Sequence, residues 1–315
     1  MARGTFSLRR GSLFSFGVLL LGAAAVHAQQ SATAQCRSVV QSARQAYESR
    51  AFNKAIDEFT AALRVCGSRA DLQLGLGEAQ LMAGRWEPSV ESLRQAVLLE
   101  PKNMLARKVL GDALYLAGKQ DEAEQSLKEA LRLDPNFEPA RYALGRIYYQ
   151  QSRFPDAIQE FQTLIAADAA HYRAHDNLAL CYESVGRNAD ALKEFLKALD
   201  LVYKDHPEYD SAHADLAEFF LRREEPEKAF QMAAEAAQRN PRSARNFFLT
   251  GKALVTLNKD LLSLRWLERA VQLDPTYREA HYLLARTYQK LGRRDDADRE
   301  FTRVRELTDK KRVRR

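Results

Sequence analysis

The 315 residues could fill two ordinary domains. The formal charge of +6 is carried by the chain ends: Arg3, Arg9 and Arg10 near the start, and Lys310, Lys311, Arg312, Arg314 and Arg315 at the finish, leave a body of −2 once these eight are set aside. A nearly neutral body excludes the concentrated basic stripe of a nucleic-acid-coating protein.

Residues 1–28 read as a secretory signal peptide. Arg3, Arg9 and Arg10 form a basic n-region, Leu13 to Val26 is a mostly apolar run of 14 residues, and Val26-His27-Ala28 offers a cleavage site. A spanning helix needs about 20 apolar residues, so an uncleaved anchor is the weaker alternative. Gly11-Ser12-Leu13 fits a twin-arginine signal poorly, and no Cys follows the cleavage point to receive a lipid. The mature chain is expected to begin near Gln29, to be exported to the periplasm or secreted, and to span no membrane. Residues 29–35 form a linker.

From residue 36 a 34-residue pattern recurs, with starts at Cys36, Ala70, Met104, Glu138 and Tyr172 and, after a four-residue slip, at Asp210, Ala244 and Arg278. Position 8 is always Ala or Gly (Ala43, Gly77, Gly111, Gly145, Ala179, Ala217, Gly251, Ala285). Position 20 is always Ala or Ser, as at Ala55, Ser89, Ala123 and Ser263. Small residues at both places let two helices cross closely. Position 24 is large and apolar in every unit but the sixth, where it is Ala233, and position 32 is Pro at Pro101, Pro135, Pro241 and Pro275. Within Met104 to Phe137, apolar spacing of i, i+3, i+4 and i+7 marks two amphipathic helices, Gly118 breaks the first and Pro135 stops the second. This order of small, aromatic and proline positions closely resembles the tetratricopeptide repeat family, departing at position 4, where the family favours a Trp this chain never has. The resemblance implies an all-α, right-handed superhelical solenoid of eight helix hairpins over 36–311: repeats 36–69, 70–103, 104–137, 138–171, 172–205, 210–243, 244–277 and 278–311, with a 206–209 insertion and a basic tail at 312–315.

The first repeat holds Cys36 at position 1 and Cys66 at position 31, which antiparallel helices bring to the same end. A disulfide is geometrically possible there and suits an exported protein; two free thiols are the alternative. Cys181, on the packed side of its helix, reads as a small buried hydrophobe. Asn188 is placed to cap a second helix, and Pro88, Pro155 and Pro226 suit first-turn positions. The insertion Asp205-His206-Pro207-Glu208-Tyr209 reads as a loop of the kind that touches partners. In the last repeat, Asp298 and Arg305 replace apolar residues that would pack on a following hairpin, so the stack is expected to end there.

Chemistry is sparse. The chain has no Gly-rich phosphate loop, Ser elbow or HExxH. His171 and His175, or His206, Asp210 and His213, match no closed zinc pattern; His175, His213 and His281 all fall at position 4, a packing place. No catalysis, cofactor or metal is expected. The resemblance implies that the first helix of each repeat lines a concave groove through positions 2, 5, 9, 12 and 13. Carried over, these give Arg44, Tyr47, Lys108, Tyr115, Tyr142, Arg146, Tyr149, Lys252, Tyr282 and Arg286, with Leu81, Met82 and Phe248 apolar and Asp112, Asp176 and Glu218 acidic. Aromatic and Arg side chains carry much of the binding energy at interfaces; packing between hairpins is the competing role for each. Tyr115, Tyr142 and Tyr149 are expected to form one patch with Lys108 and Arg146. No three consecutive repeats carry the Lys and Asn pattern of carboxylate-clamping chaperone adaptors. The expectation is a scaffold that binds a protein or peptide partner; the runner-up is an accessory or regulatory subunit of an envelope enzyme or outer-membrane assembly complex.

Overall fold

The computed structural model describes residues 33–313. The signal peptide read at 1–28, the start of the linker and the last two residues of the basic tail lie outside the described residues. The described residues form sixteen helices and no strand: α1 (33–48), α2 (Phe52–Cys66), α3 (Ala70–Met82), α4 (Trp86–Leu99), α5 (Met104–Leu116), α6 (Gln120–Leu133), α7 (Glu138–Gln150), α8 (Phe154–Ala167), α9 (Tyr172–Ser184), α10 (Asn188–Asp205), α11 (Ser211–Arg222), α12 (Pro226–Arg239), α13 (Ala244–Thr256), α14 (Asp260–Leu273), α15 (Arg278–Lys290) and α16 (Arg294–Val313). Two compact units divide the chain inside α7, Met1–Ile147 and Tyr148–Arg315. Among the described residues, no helix is long and apolar enough to cross a membrane.

In the first unit α2 packs on α3, α3 on α4, α4 on α5 and α5 on α6; in the second, successive helices from α8 to α16 pack likewise, and alternate helices α9, α11, α13 and α15 also touch in sequence. Close packing explains the small residues at position 8. A Cβ added at Gly77, Gly111 or Gly251 would come within 2.5 to 2.8 Å of Leu93, Leu127 or Leu267, the position-24 residue of the same repeat. Those leucines are fully buried, as are Phe161 and Phe195 at the same position. A disulfide joins Cys36 to Cys66, with the Cα atoms 5.3 Å apart, and fastens α1 to the end of α2.

The turn between the two helices of each repeat passes through the left-handed region at position 15. Glycine fills it at Gly84, Gly118, Gly186 and Gly292, while Arg50, Ser152, Glu224 and Asn258 take it with φ between 55° and 59°. A side chain there costs about 1 kcal/mol or more, so the hairpin packing on either side imposes the conformation.

Caps follow simple chemistry at α5 and α13, where Asn103 and Ser243 accept from the backbone N–H of Ala106 and Asn246. Asn188, expected as a cap, is instead the first residue of α10; Arg187 precedes it and ties the first turn by donating to Asp190 at 2.8 Å.

Position 4 carries a polar staple in two repeats. His175 sets Nδ1 2.6 Å from Glu194 and Nε2 3.2 Å from the Ala169 carbonyl; His281 sets Nδ1 2.5 Å from Glu300 and Nε2 3.2 Å from the Pro275 carbonyl. Each ring thus joins position 23 of its own repeat to position 32 of the repeat before. Repeat 6 has Met232 at position 23, and there the buried His213 leaves Nδ1 without a partner.

Candidate functional site

The expected groove residues fall into three groups. In the first unit, Arg44 is exposed and sits 3.6 Å from Asp71 beside a cleft of about 630 Å³ formed with Cys36, Arg37, Val40 and Arg69. Tyr47 packs edge-on against Phe52 at 5.8 Å, and burial followed by the Glu78 charge raises its pKa. Lys108 is neutralised on its own helix by Asp112, 2.6 Å away. Tyr115 and Tyr142 are half-buried, and the exposed Arg146 lies 6.0 Å from the Tyr142 ring centre.

In the second unit, Tyr149 packs edge-on against Phe154 at 5.7 Å. Tyr47 with Phe52 and Tyr149 with Phe154 are the same pair of repeat positions, 12 and 17, so these two tyrosines brace the turn of their own hairpin. Tyr142 and Tyr149 share α7, and Tyr115 lies on α5.

The two ends of the 206–209 insertion pack on repeat 5, while Pro207 and Glu208 stay exposed. His206 stacks on Tyr172 at 4.2 Å, Tyr209 meets the same ring edge-on at 4.9 Å, and Tyr209 Oη donates to Asp176 Oδ2 at 2.7 Å. Asp176, expected to add negative charge to an open groove, is 1% exposed. Burial, and then the neighbouring Asp215 charge, push its pKa well above the usual carboxylate range. Asp215 in turn accepts from Arg245 at 2.5 Å; Arg245 also donates to Glu218 at 2.9 Å, and Arg222 pairs with Glu218 at 3.2 Å. The acidic groove positions of this region are consumed internally.

The third group converges on an open surface. Lys252 on α13 and Tyr282 on α15 line a cleft of about 350 Å³ whose apolar lining is Phe248, Leu283 and Val304, with Arg278 and Glu279 at the rim. On its other side Tyr282 lines a second cleft, of about 540 Å³, with Val255, Arg286 and Lys290. Tyr282 is 48% exposed, leans on Phe301 at 6.2 Å and accepts a hydrogen bond from Arg286 at 3.3 Å. Lys290 is taken up by Asp260 at 2.6 Å and Arg278 by Glu279 at 2.8 Å, whereas Lys252 and Arg286 make no ion pair among the described residues. The sequence brought out Lys252, Tyr282, Arg286 and Phe248. It missed Leu283 and Val304, which lie at positions 6 and 27, outside the groove set, and Lys290, whose position 13 was itself a signal.

Two further histidines among the described residues serve structure. His171 Nδ1 accepts from the Ala174 N–H at 3.1 Å as a helix cap. Burial, then Arg239, lowers the His213 pKa to about 4. Among the described residues, no group of three or more His, Cys, Asp or Glu is placed to hold a metal ion.

Sequence profiles of the tetratricopeptide repeat match residues 85–136, 114–181 and 264–315. No curated protein matches the chain. Among solved structures, a tetratricopeptide repeat protein from Parabacteroides merdae is similar at 16% identity, with 80% of this chain and 98% of that one covered and a TM-score of 0.67. Yeast Tom70 is similar at 18% identity, over 82% of this chain and 56% of that one, with a TM-score of 0.62. PilF from Pseudomonas aeruginosa is similar at 21% identity, over 65% and 92%, with a TM-score of 0.54. At these identities the likeness speaks to the fold. Recurrent small, large and proline positions, sixteen described helices paired in hairpins, and these matches lead to one conclusion: the chain belongs to the tetratricopeptide repeat family.

Proposed function

We propose that this protein is an exported, bacterial periplasmic or secreted, scaffold that binds a polypeptide partner in the groove of its repeats and performs no catalysis. The observation that carries the reading is Tyr282, half exposed between two clefts, with the unpaired cations Lys252 and Arg286 beside it. An apolar partner side chain enters the cleft over Phe248, Leu283 and Val304, and acidic side chains meet Lys252 and Arg286. Export is supported by the basic and apolar pattern of residues 1–28.

An affinity pull-down from envelope extract identifies the partner, and N-terminal sequencing of the mature chain reads a start near Gln29. Tyr282→Ala and Arg286→Ala are then expected to weaken the isolated partner by about 1–3 kcal/mol while melting hardly moves. A Tyr282→Ala protein that melts much lower yet binds normally overturns the assignment.

A further inference from the structure

Leu261 and Leu262 open α14 with their side chains in solvent, 71% and 54% exposed. They occupy repeat positions 18 and 19, where the other seven repeats have polar or charged residues, proline or alanine, and never a large apolar one. Repeats 4, 5 and 8 use position 19 for an aspartate that accepts from an arginine three residues earlier: Asp156 from Arg153, Asp190 from Arg187 and Asp296 from Arg293. Repeat 7 gives up that first-turn ion pair and puts two leucines into water. Nothing in the packing of its own hairpin uses them.

The rest of the face has a definite character. Trp266, one turn beyond Leu262, is half-buried 5.5 Å from Phe247, and Arg265 lies 5.1 Å over its ring. Arg265 and Arg269 follow Leu261 at intervals of four, and both are exposed, as is Lys259 just before the helix. Among the described residues none of these three cations makes an ion pair. The result is an apolar ridge, Leu261-Leu262-Trp266, with a cationic edge. It is one helix wide: at the position of Leu261 the second helices of the adjoining repeats carry Glu227 on α12 and Asp295 on α16, both exposed.

We propose that this face of α14 is a second docking surface, separate from the clefts around Tyr282, and that it receives an amphipathic helix of a partner protein whose apolar stripe is flanked by Asp and Glu. Charge complementarity selects that occupant. A second copy of this chain packed antiparallel across a two-fold axis sets the edge of Arg265 and Arg269 against its own counterpart, a like-charge contact. An anionic bilayer, being flat, meets Glu227 and Asp295 together with the cations. A single acidic-edged helix fits the width and sign of the face and buries Leu261 and Leu262.

The chain has two tryptophans, so Trp86→Phe, at an exposed position, leaves Trp266 as a local reporter. Full-length protein of this form is titrated with two synthetic helical peptides that share a leucine stripe, one flanked by Glu and one by Lys, and with phosphatidylglycerol vesicles. The Glu-flanked peptide is expected to shift Trp266 emission saturably, to weaken at high salt, and to lose about tenfold or more in affinity with either Leu262→Glu or Arg265→Glu, the effect of an interface anchor. Tyr282→Ala leaves this binding unchanged, which separates the surface from the groove. The proposal is overturned if the Glu-flanked peptide does not bind, if the Lys-flanked peptide binds equally well, if vesicles shift the emission and the peptide does not, or if the free protein is a dimer that Leu262→Glu dissociates.

Discussion

Tyr209 reaches across 33 residues of sequence to donate a 2.7 Å hydrogen bond to Asp176. The bond anchors the four-residue insertion to the first helix of repeat 5. It satisfies Oδ2 of Asp176 but leaves Oδ1 buried with no donor. Asp215 adjoins that carboxyl, and two acceptors can bond to each other only if one of them keeps a proton.

That geometry fixes a pH dependence. The folded chain holds a proton on Asp176 above pH 3.8, where the unfolded chain has released it. The folded state therefore binds more protons, and stability falls as pH rises from 3.8 through the raised value. Asp176→Asn supplies an amide donor to Asp215 and keeps an acceptor for Tyr209; urea midpoints across pH should flatten in this window. Tyr209→Phe should cost about 1–2 kcal/mol.

His213 has the opposite sign. Its pKa of about 4 in the fold lies below the usual 6.5, chiefly through burial, so the unfolded chain takes up the proton first. Its contribution to stability is present above pH 6.5 and is lost as pH falls toward 4. His213→Leu should flatten the acid side of the melting curve against pH and leave the alkaline side in place.

The left-handed turns offer a gain. Glu224→Gly and Asn258→Gly remove a side chain from φ of 58° and 55°. Each should stabilise by about 0.5–1 kcal/mol, with Asn at the low end because it tolerates this region. The reverse change, Gly118→Glu at φ of 77°, should destabilise by a similar amount. Denaturant midpoints of the single variants decide it.

The cysteines predict a thiol count. Cys181 is fully buried, and burial pushes its pKa up to about 12, so the native protein should resist alkylation at neutral pH. Denatured without reductant it should show one reactive thiol, and after reduction three. Opening the Cys36–Cys66 bridge, which spans 30 residues of sequence, should cost about 3–4 kcal/mol and lower the melting point.

The repeat register was legible because it rests on volume: each leucine at position 24 (Leu93, Leu127, Leu267) leaves room only for a hydrogen at position 8, and Gly77, Gly111 and Gly251 announce this without further context. The turn conformation was half legible. Gly118 signals φ > 0, but nothing in Arg50, Ser152 or Glu224 does, because there the packed helices impose it. The insertion carries an internal bond that its sequence does not announce. Polar and aromatic residues in an extra loop suit a partner, yet Tyr209 had an internal acceptor in Asp176, a residue whose spacing alone suggested an open groove. Family positions picked out Lys252, Tyr282 and Arg286 and set Asp112 on the helix of Lys108, but could not reveal that Phe154 claims Tyr149.

The histidine staple gives two junctions of this chain a common fastening. It needs a histidine at position 4, a glutamate at position 23 and, from the preceding repeat, only a backbone carbonyl, which Ala169 and Pro275 supply equally well. To the staple itself the preceding repeat contributes no side chain, so repeat 8 placed after repeat 4, or repeat 5 after repeat 7, would keep that bond while exchanging side-chain pairs such as Lys290 with Asp260. Repeat 6 lacks the glutamate and enters after an insertion that only its present neighbour can receive. In the language of assembly, repeats 5 and 8 are cassettes with a common fitting, and repeat 6 is a bespoke adapter that fixes the order of the chain around it.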